Sequence, residues 1–125
     1  MTLLLDTHLV LWWMAGEASR IGKKALAALG SDGIDPIVSA VTIWEAAIKR
    51  GLGKLDAPGD LLSQLERAGV ELLPVTPRHA DHVASLPLHH RDPFDRLLVA
   101  QATLEGLPLV SDDEWVRRYD IEVVW

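Results

Sequence analysis

Short apolar runs alternate with longer mixed segments along the whole chain, and this alternation sets the element plan. Leu3-Leu4-Leu5 is wholly apolar and stops at Asp6, which reads as a buried strand over residues 2–5. Residues 9–14 continue as a largely apolar helix, broken by Gly16. Ser19 caps a second helix running to residue 29, with Ile21, Ala25, Leu26 and Leu29 on one face. Gly30-Ser31-Asp32-Gly33 is a turn, and residues 37–39 form a second strand. In the helix begun by Thr42, Val41, Trp44 and Ile48 fall at helical spacing, Glu45 sits inside the apolar pattern, and Gly51 and Gly53 end it. A helix over 60–68, stopped by Gly69, a strand over 71–75 and a short helix over 77–85 follow. The most strongly marked segment comes next. Asp92 before Pro93 reads as an N-cap with proline at the first helical position. Leu97, Leu98, Val99, Ala100 and Ala102 leave no wide polar face, so this helix is expected at the centre, with Gly106 as its stop. A strand over 107–110 runs into Ser111-Asp112-Asp113, and a short helix over 114–118 and a strand over 121–124 close the chain.

Strands alternating with helices predict an α/β fold, a mostly parallel sheet with helices on both faces. The 125 residues carry no repeat and no linker, so residues 1–125 are read as a single domain. There is no cysteine, which removes disulfides, thiolate nucleophiles and cysteine metal sites. No apolar run approaches the roughly 18 residues of a membrane span. Leu3-Leu4-Leu5 lacks a basic leader, so no signal peptide is expected and the cytoplasm is the default location. The net charge of −6 argues against a nonspecific nucleic-acid binder, unless several acids cluster and hold divalent cations that reverse the local sign.

In open α/β sheets, sites form beyond the carboxyl ends of the strands. Asp6 stands at that end of the first strand, and Asp112 and Asp113 at that end of the fourth. Glu45 lies in the helix after the second strand, and Asp95 at the start of the central helix. Carboxylates gathered at one edge repel unless a positive charge sits among them. Oxygen donors without a His or Cys pattern suit Mg²⁺ or Mn²⁺, ions that clamp phosphate oxygens and acidify a bound water. Each acid also has a purely structural reading. Asp6 can cap the first helix, Glu45 can pair with Lys49 as an ordinary i,i+4 surface pair, and Asp95 can partner an Asp92 cap. Ser111 and Glu114 have capping-box spacing, which leaves Asp112 and Asp113 as first-turn acids. Caps do not explain why the first and fourth strands both stop on aspartate, and from residue chemistry both readings stay open. His89 and His90, being adjacent, cannot share a face and are expected in a solvated loop. The five tryptophans are expected as core or interface anchors, with Trp12-Trp13 a candidate partner surface.

Three blocks together resemble PIN-domain proteins, and within them VapC-type toxins of type II toxin–antitoxin systems. They are Leu4-Leu5-Asp6-Thr7-His8, Ser39-Ala40-Val41-Thr42-Ile43-Trp44-Glu45-Ala46-Ala47-Ile48-Lys49 and His90-Arg91-Asp92-Pro93-Phe94-Asp95-Arg96 with the apolar residues after it. The tail Leu109-Val110-Ser111-Asp112-Asp113, then Tyr119 and Trp125, fits as well. The resemblance implies a PIN-like three-layer sandwich with a central sheet of four to five strands. It also implies a Mg²⁺- or Mn²⁺-dependent endoribonuclease that hydrolyses RNA by a metal-activated water, is neutralised by a cognate antitoxin protein and forms a homodimer. Carried over by position, the acids are Asp6, Glu45, Asp95 and Asp113. Asp6, Asp95 and Asp113 would hold the metal, and Glu45 would ligate it or orient the attacking water. Asp112 is a rival for the fourth place, where the family commonly has Thr-x-Asp and this chain has Ser111-Asp112-Asp113. Thr7 and Thr42 match hydroxyl positions near the site, and with Lys49, Arg96, Arg91 and Lys54 they are candidates for phosphate contacts. Asp92 is read as the helix cap.

Two other readings compete. A haloacid-dehalogenase-type phosphatase also begins with an apolar strand ending in Asp, but needs a second Asp two residues on, where this chain has His8. A noncatalytic PIN-like binding module would use the acids only as caps.

Overall fold

The Leu3-Leu4-Leu5 run becomes the central strand of a five-stranded sheet in a computed structural model that describes residues 1–125. The strands are β1 (Thr2–Leu5), β2 (Asp35–Ser39), β3 (Glu71–Leu73), β4 (Leu109–Val110) and β5 (Val123–Val124), in the spatial order β3-β2-β1-β4-β5. Every pairing is parallel, where the sequence indicated a mostly parallel sheet. Helices cover both faces, which is why β1 is apolar throughout rather than alternating.

The two-residue period of the strands sorts side chains between two cores. Leu3, Leu5, Val38 and Val110 point to one face, where α1 (Thr7–Met14), α2 (Lys23–Leu29) and α4 (Leu61–Arg67) contribute Leu9, Val10, Ala25, Leu61 and Leu65. Leu4, Ile37 and Leu109 point to the other, against Leu98, Val99 and Ala102 of α6 (Pro93–Glu105) and against Val116 and Tyr119. α3 (Ala40–Gly51) bridges the layers, with Val41 in the second core and Ala46 in the first. α5 (Pro77–His82) packs on α6.

The expected α6 is found with its signals in place. Asp92 accepts from the backbone N–H groups of Phe94 and Asp95, Pro93 opens the helix, and Gly106 closes it in the left-handed region at φ 64°. Several boundaries differ from expectation. The helix expected from Ser19 is interrupted: a 3₁₀ turn covers Ala18–Arg20, Ile21 is extended and buried, and α2 starts after Gly22. The break packs against a residue distant in sequence. A Cβ on Gly22 would lie 2.6 Å from the Trp125 ring, so the C-terminal tryptophan occupies the space a side chain would need. The last two strands are shorter than expected, and the final helix is only a 3₁₀ turn at Val116–Arg118. In α3 the inward face is Val41, Thr42, Glu45 and Ala46, whereas Trp44 and Ile48 are exposed. Trp12 and Trp13 are half-buried against the first core, and Trp12 meets Trp125 edge-on with ring centroids 6.0 Å apart.

A polar thread crosses the second layer. Ser39 donates to Gln101, whose amide faces Pro74 O and His79, and His79 Nε2 meets Glu105 at 2.8 Å. Ser39, His79 and Gln101 are buried, and these contacts satisfy them.

Candidate active site

From β1 the chain winds outward through β2 to β3, then returns through α5 and α6 to β4 on the opposite side of β1. The strand order therefore reverses between β1 and β4, and a crevice opens at their carboxyl ends. Leu5 and Val110 are paired across this junction, so Asp6 and Ser111 leave the sheet side by side, with Asp113 two residues on.

Asp6 is buried and caps α1, its Oδ1 accepting the Leu9 N–H at 2.9 Å. Burial pushes its pKa up to about 7; the Ser111 hydroxyl and the Leu9 N–H pull the other way, and the charges of Asp112 and Asp113 add to the rise. Asp113 accepts the N–H groups of Trp115 and Val116 on Oδ1, at 2.8 and 3.3 Å. Ser111, expected to begin a capping box with Glu114, instead accepts the Asp113 N–H. Asp112, the rival for the fourth acid, is exposed, whereas Asp113 turns towards Asp95. Asp95, in the first turn of α6, also has its pKa pushed up to about 7, first by burial, then by Asp92 and Glu45, with His90 opposing and Asp113 adding.

Glu45 is not a surface residue, with a side chain only 3% exposed. Its Oε1 accepts from the Thr7 hydroxyl at 2.5 Å and its Oε2 from Lys49 Nζ at 2.6 Å. Thr7 has one hydroxyl proton, so its 3.2 Å contact with Thr42 runs from Thr42 to Thr7. The two buried threonines thus orient Glu45, and neither presents a free hydroxyl to a phosphate as expected. For Lys49, burial disfavours the charge, but the bond to Glu45 and the charges of Glu45, Asp92 and Asp95 outweigh it and raise its pKa. Lys54 and Arg91 are exposed.

Two further expectations change. Arg96, read as a phosphate contact, directs its guanidinium at the Pro87 and Val83 carbonyls, both at 3.0 Å, and at the Tyr119 hydroxyl at 3.2 Å. Its fork of donors ties the loop before α6 together instead. The second change is at His90. Neither histidine is in the solvated position expected: both are half-buried, and His89 packs edge-on against the Tyr119 ring. His90 turns inward, with Nε2 2.9 Å from Asp95 Oδ2 and 3.1 Å from Asp113 Oδ2. The only sequence signal was its place two residues before the Asp92 cap.

His90, Asp95 and Asp113 thus bring donor atoms within 4.8 Å of one another. Asp6 stands outside this tight group but is linked electrostatically to Asp113, as Glu45 is to Asp95. Burial and mutual repulsion keep these carboxyls protonated up to about neutrality, and oxygen donors of this kind fit a hard divalent ion.

Fold and crevice define an α/β protein with an acidic site at the switch point of a parallel sheet. The chain belongs to the PIN domain family, whose profile matches residues 3–122. It is 31% identical over 121 residues to ribonuclease VapC22 of Mycobacterium tuberculosis, covering 94% of this chain and 92% of that protein. Its fold is similar to VapBC2 of Rickettsia felis, solved bound to a DNA fragment from its promoter, with TM-score 0.65 and 14% identity over 98% of this chain and 97% of that one. It is also similar to the VapBC-5 toxin–antitoxin structure of Mycobacterium tuberculosis, with TM-score 0.62 and 22% identity over 98% of this chain and 97% of that one.

Proposed function

We propose that this chain is a VapC-type ribonuclease toxin that cleaves RNA phosphodiester bonds hydrolytically with Mg²⁺ or Mn²⁺ and is neutralised by a cognate antitoxin protein. The observation that carries this reading is the convergence of Asp95 and Asp113 at the β1/β4 switch point, beside a buried Asp6. Its likeness to VapC22 ribonuclease supports the substrate class. Asp6, Asp95 and Asp113 would hold the ion. When bound, it supplies positive charge for the phosphate and a more acidic water. Glu45, fixed by Thr7 and Lys49, would ligate the ion or orient the attacking water. Lys49, with its ammonium 2.6 Å from Glu45 and 3.7 Å from Asp92, would contact the substrate phosphate.

The antitoxin is the expected protein partner. An apolar groove of about 620 Å³, lined by Ile43, Trp44, Leu62, Leu72 and Pro74, leaves Trp44 52% exposed and offers such a partner a surface. A homodimer and residence in the cytoplasm complete the reading; no helix is long and apolar enough to cross a membrane. The direct test is cleavage of total cellular RNA by the purified chain with and without Mn²⁺. Cleavage should require the ion and disappear in Asp6→Asn with the fold and antitoxin binding intact. Full metal-dependent activity in that variant would refute the assignment.

A further inference from the structure

We infer that His90 is a positioning residue of the acidic site: it hydrogen-bonds Asp113, lies against Asp95, and is not itself a ligand of the cation these acids would hold. The inference rests on the reading of Asp95 and Asp113 as cation ligands. His90 lies among the donor atoms, close enough for its ring nitrogen to be taken for one of them. The hydrogen bonds around the ring say otherwise. The Asp92 backbone N–H donates to His90 Nδ1 at 3.2 Å, so the ring proton sits on Nε2. Nε2–H then donates to Asp113 Oδ2 at 3.1 Å and lies 2.9 Å from Asp95 Oδ2. A nitrogen that carries a proton has no lone pair for a metal.

Both ends of this arrangement are anchored. The His90 backbone N–H donates to the Tyr119 hydroxyl at 3.0 Å, and Arg96 also donates to that hydroxyl. The ring is thus held from its backbone, from Nδ1 and from Nε2. On the acceptor side, Asp113 is already oriented through Oδ1 by Trp115 and Val116, and His90 fixes its remaining oxygen. Each carboxylate oxygen has two lone pairs, so one N–H leaves room for an ion. His90 therefore gathers two acids from different elements, α6 and the segment after β4, before any cation arrives. Partners of this kind around a metal site are worth about 10–100-fold in affinity.

The test is Mn²⁺ binding by calorimetry to the natural chain, His90→Ala, His90→Gln and His90→Asn, with folding checked by circular dichroism. Gln can place an amide N–H near the Nε2 position; Asn is too short. His90→Ala and His90→Asn should bind Mn²⁺ about 10–100-fold more weakly, and His90→Gln should recover most of the loss. If His90→Ala does not fold, His90→Asn against His90→Gln gives the same comparison. The Mn²⁺ electron spin echo spectrum of the natural chain should lack the coupling of a directly bound imidazole nitrogen. Equal or tighter binding by His90→Ala and His90→Asn overturns the inference, as does an imidazole coupling that vanishes in His90→Gln. A natural chain that binds no Mn²⁺ at all sinks the cation reading of the site itself, a distinguishable result.

Discussion

Replacing Asp6 by asparagine should make the metal-free protein more stable while removing its response to divalent ions. Asparagine keeps the α1 cap, because its carbonyl oxygen can accept the Leu9 N–H that Asp6 Oδ1 now takes. What it removes is a charge held in a buried place. The pKa rises from 3.8, the ordinary aspartate value, to about 7 in the fold. The folded chain therefore keeps a proton that the unfolded chain gives up between about pH 4 and pH 7, and stability falls as pH rises through that window. A difference of about three pH units at ~1.4 kcal/mol each amounts to ~4 kcal/mol at pH 8, with nothing lost below about pH 4. Urea unfolding with EDTA at pH 4 and pH 8 measures this. Asp6→Asn should gain about 2–4 kcal/mol over the natural chain at pH 8 and little at pH 4. Adding Mn²⁺ at about 100 times its dissociation constant should stabilise the natural chain by ~2.7 kcal/mol and leave the variant unchanged. An Asp6→Asn protein no more stable than the natural chain at pH 8 in EDTA, or equally stabilised by Mn²⁺, would refute the reasoning.

Three further outcomes follow from particular contacts. Lys49→Gln should weaken RNA binding and lower the slope of log affinity against log salt by about 0.7–0.9, whereas Arg96→Gln should leave that slope unchanged because its guanidinium is bound to carbonyls; filter binding at several salt concentrations separates them. Gly22→Ala should cost about 1–3 kcal/mol by overpacking against Trp125, and in thermal melts of chains that already carry Trp125→Ala the cost should shrink but not vanish, because the backbone carbon of residue 125 also lies 2.7 Å from the added Cβ. Gln101→Ala should cost about 2–4 kcal/mol, since it leaves a void and strips partners from buried Ser39 and His79; a denaturation midpoint close to that of the natural chain would show the network to be dispensable.

Much of the architecture was legible in local patterns. β1 and α6 announced themselves through an unbroken apolar run and an Asp-Pro start, and both are found with the expected character. The layered α/β sheet follows from alternating elements, since a parallel strand needs a crossover to return. The strand-end aspartates were visible for the same reason: a charge that stops a buried strand stands out against the run it ends. Less legible was which way each side chain turns. Trp44 and Ile48 looked like the buried stripe of α3, but Glu45 is the residue turned inward, because Thr7 from another element meets it there. Arg96 looked free for a phosphate until the Val83 and Pro87 carbonyls closed on it.

The histidine pair shows where the division lies. Sequence alone placed two adjacent histidines just before the Asp92 cap, a local fact of order. It also determined that acids end β1 and β4 and start α6, because those are local facts of order and composition. Only the tertiary structure decided that β1 and β4 lie side by side, which depends on the chain crossing the sheet after β3. Only it decided that His90 rather than His89 faces Asp95 and Asp113, since Tyr119, 29 residues on, fixes the loop that aims it. A local sequence encodes what a residue is and how its neighbours must fold, while the direction in which it is used is set by groups the chain brings back from far away.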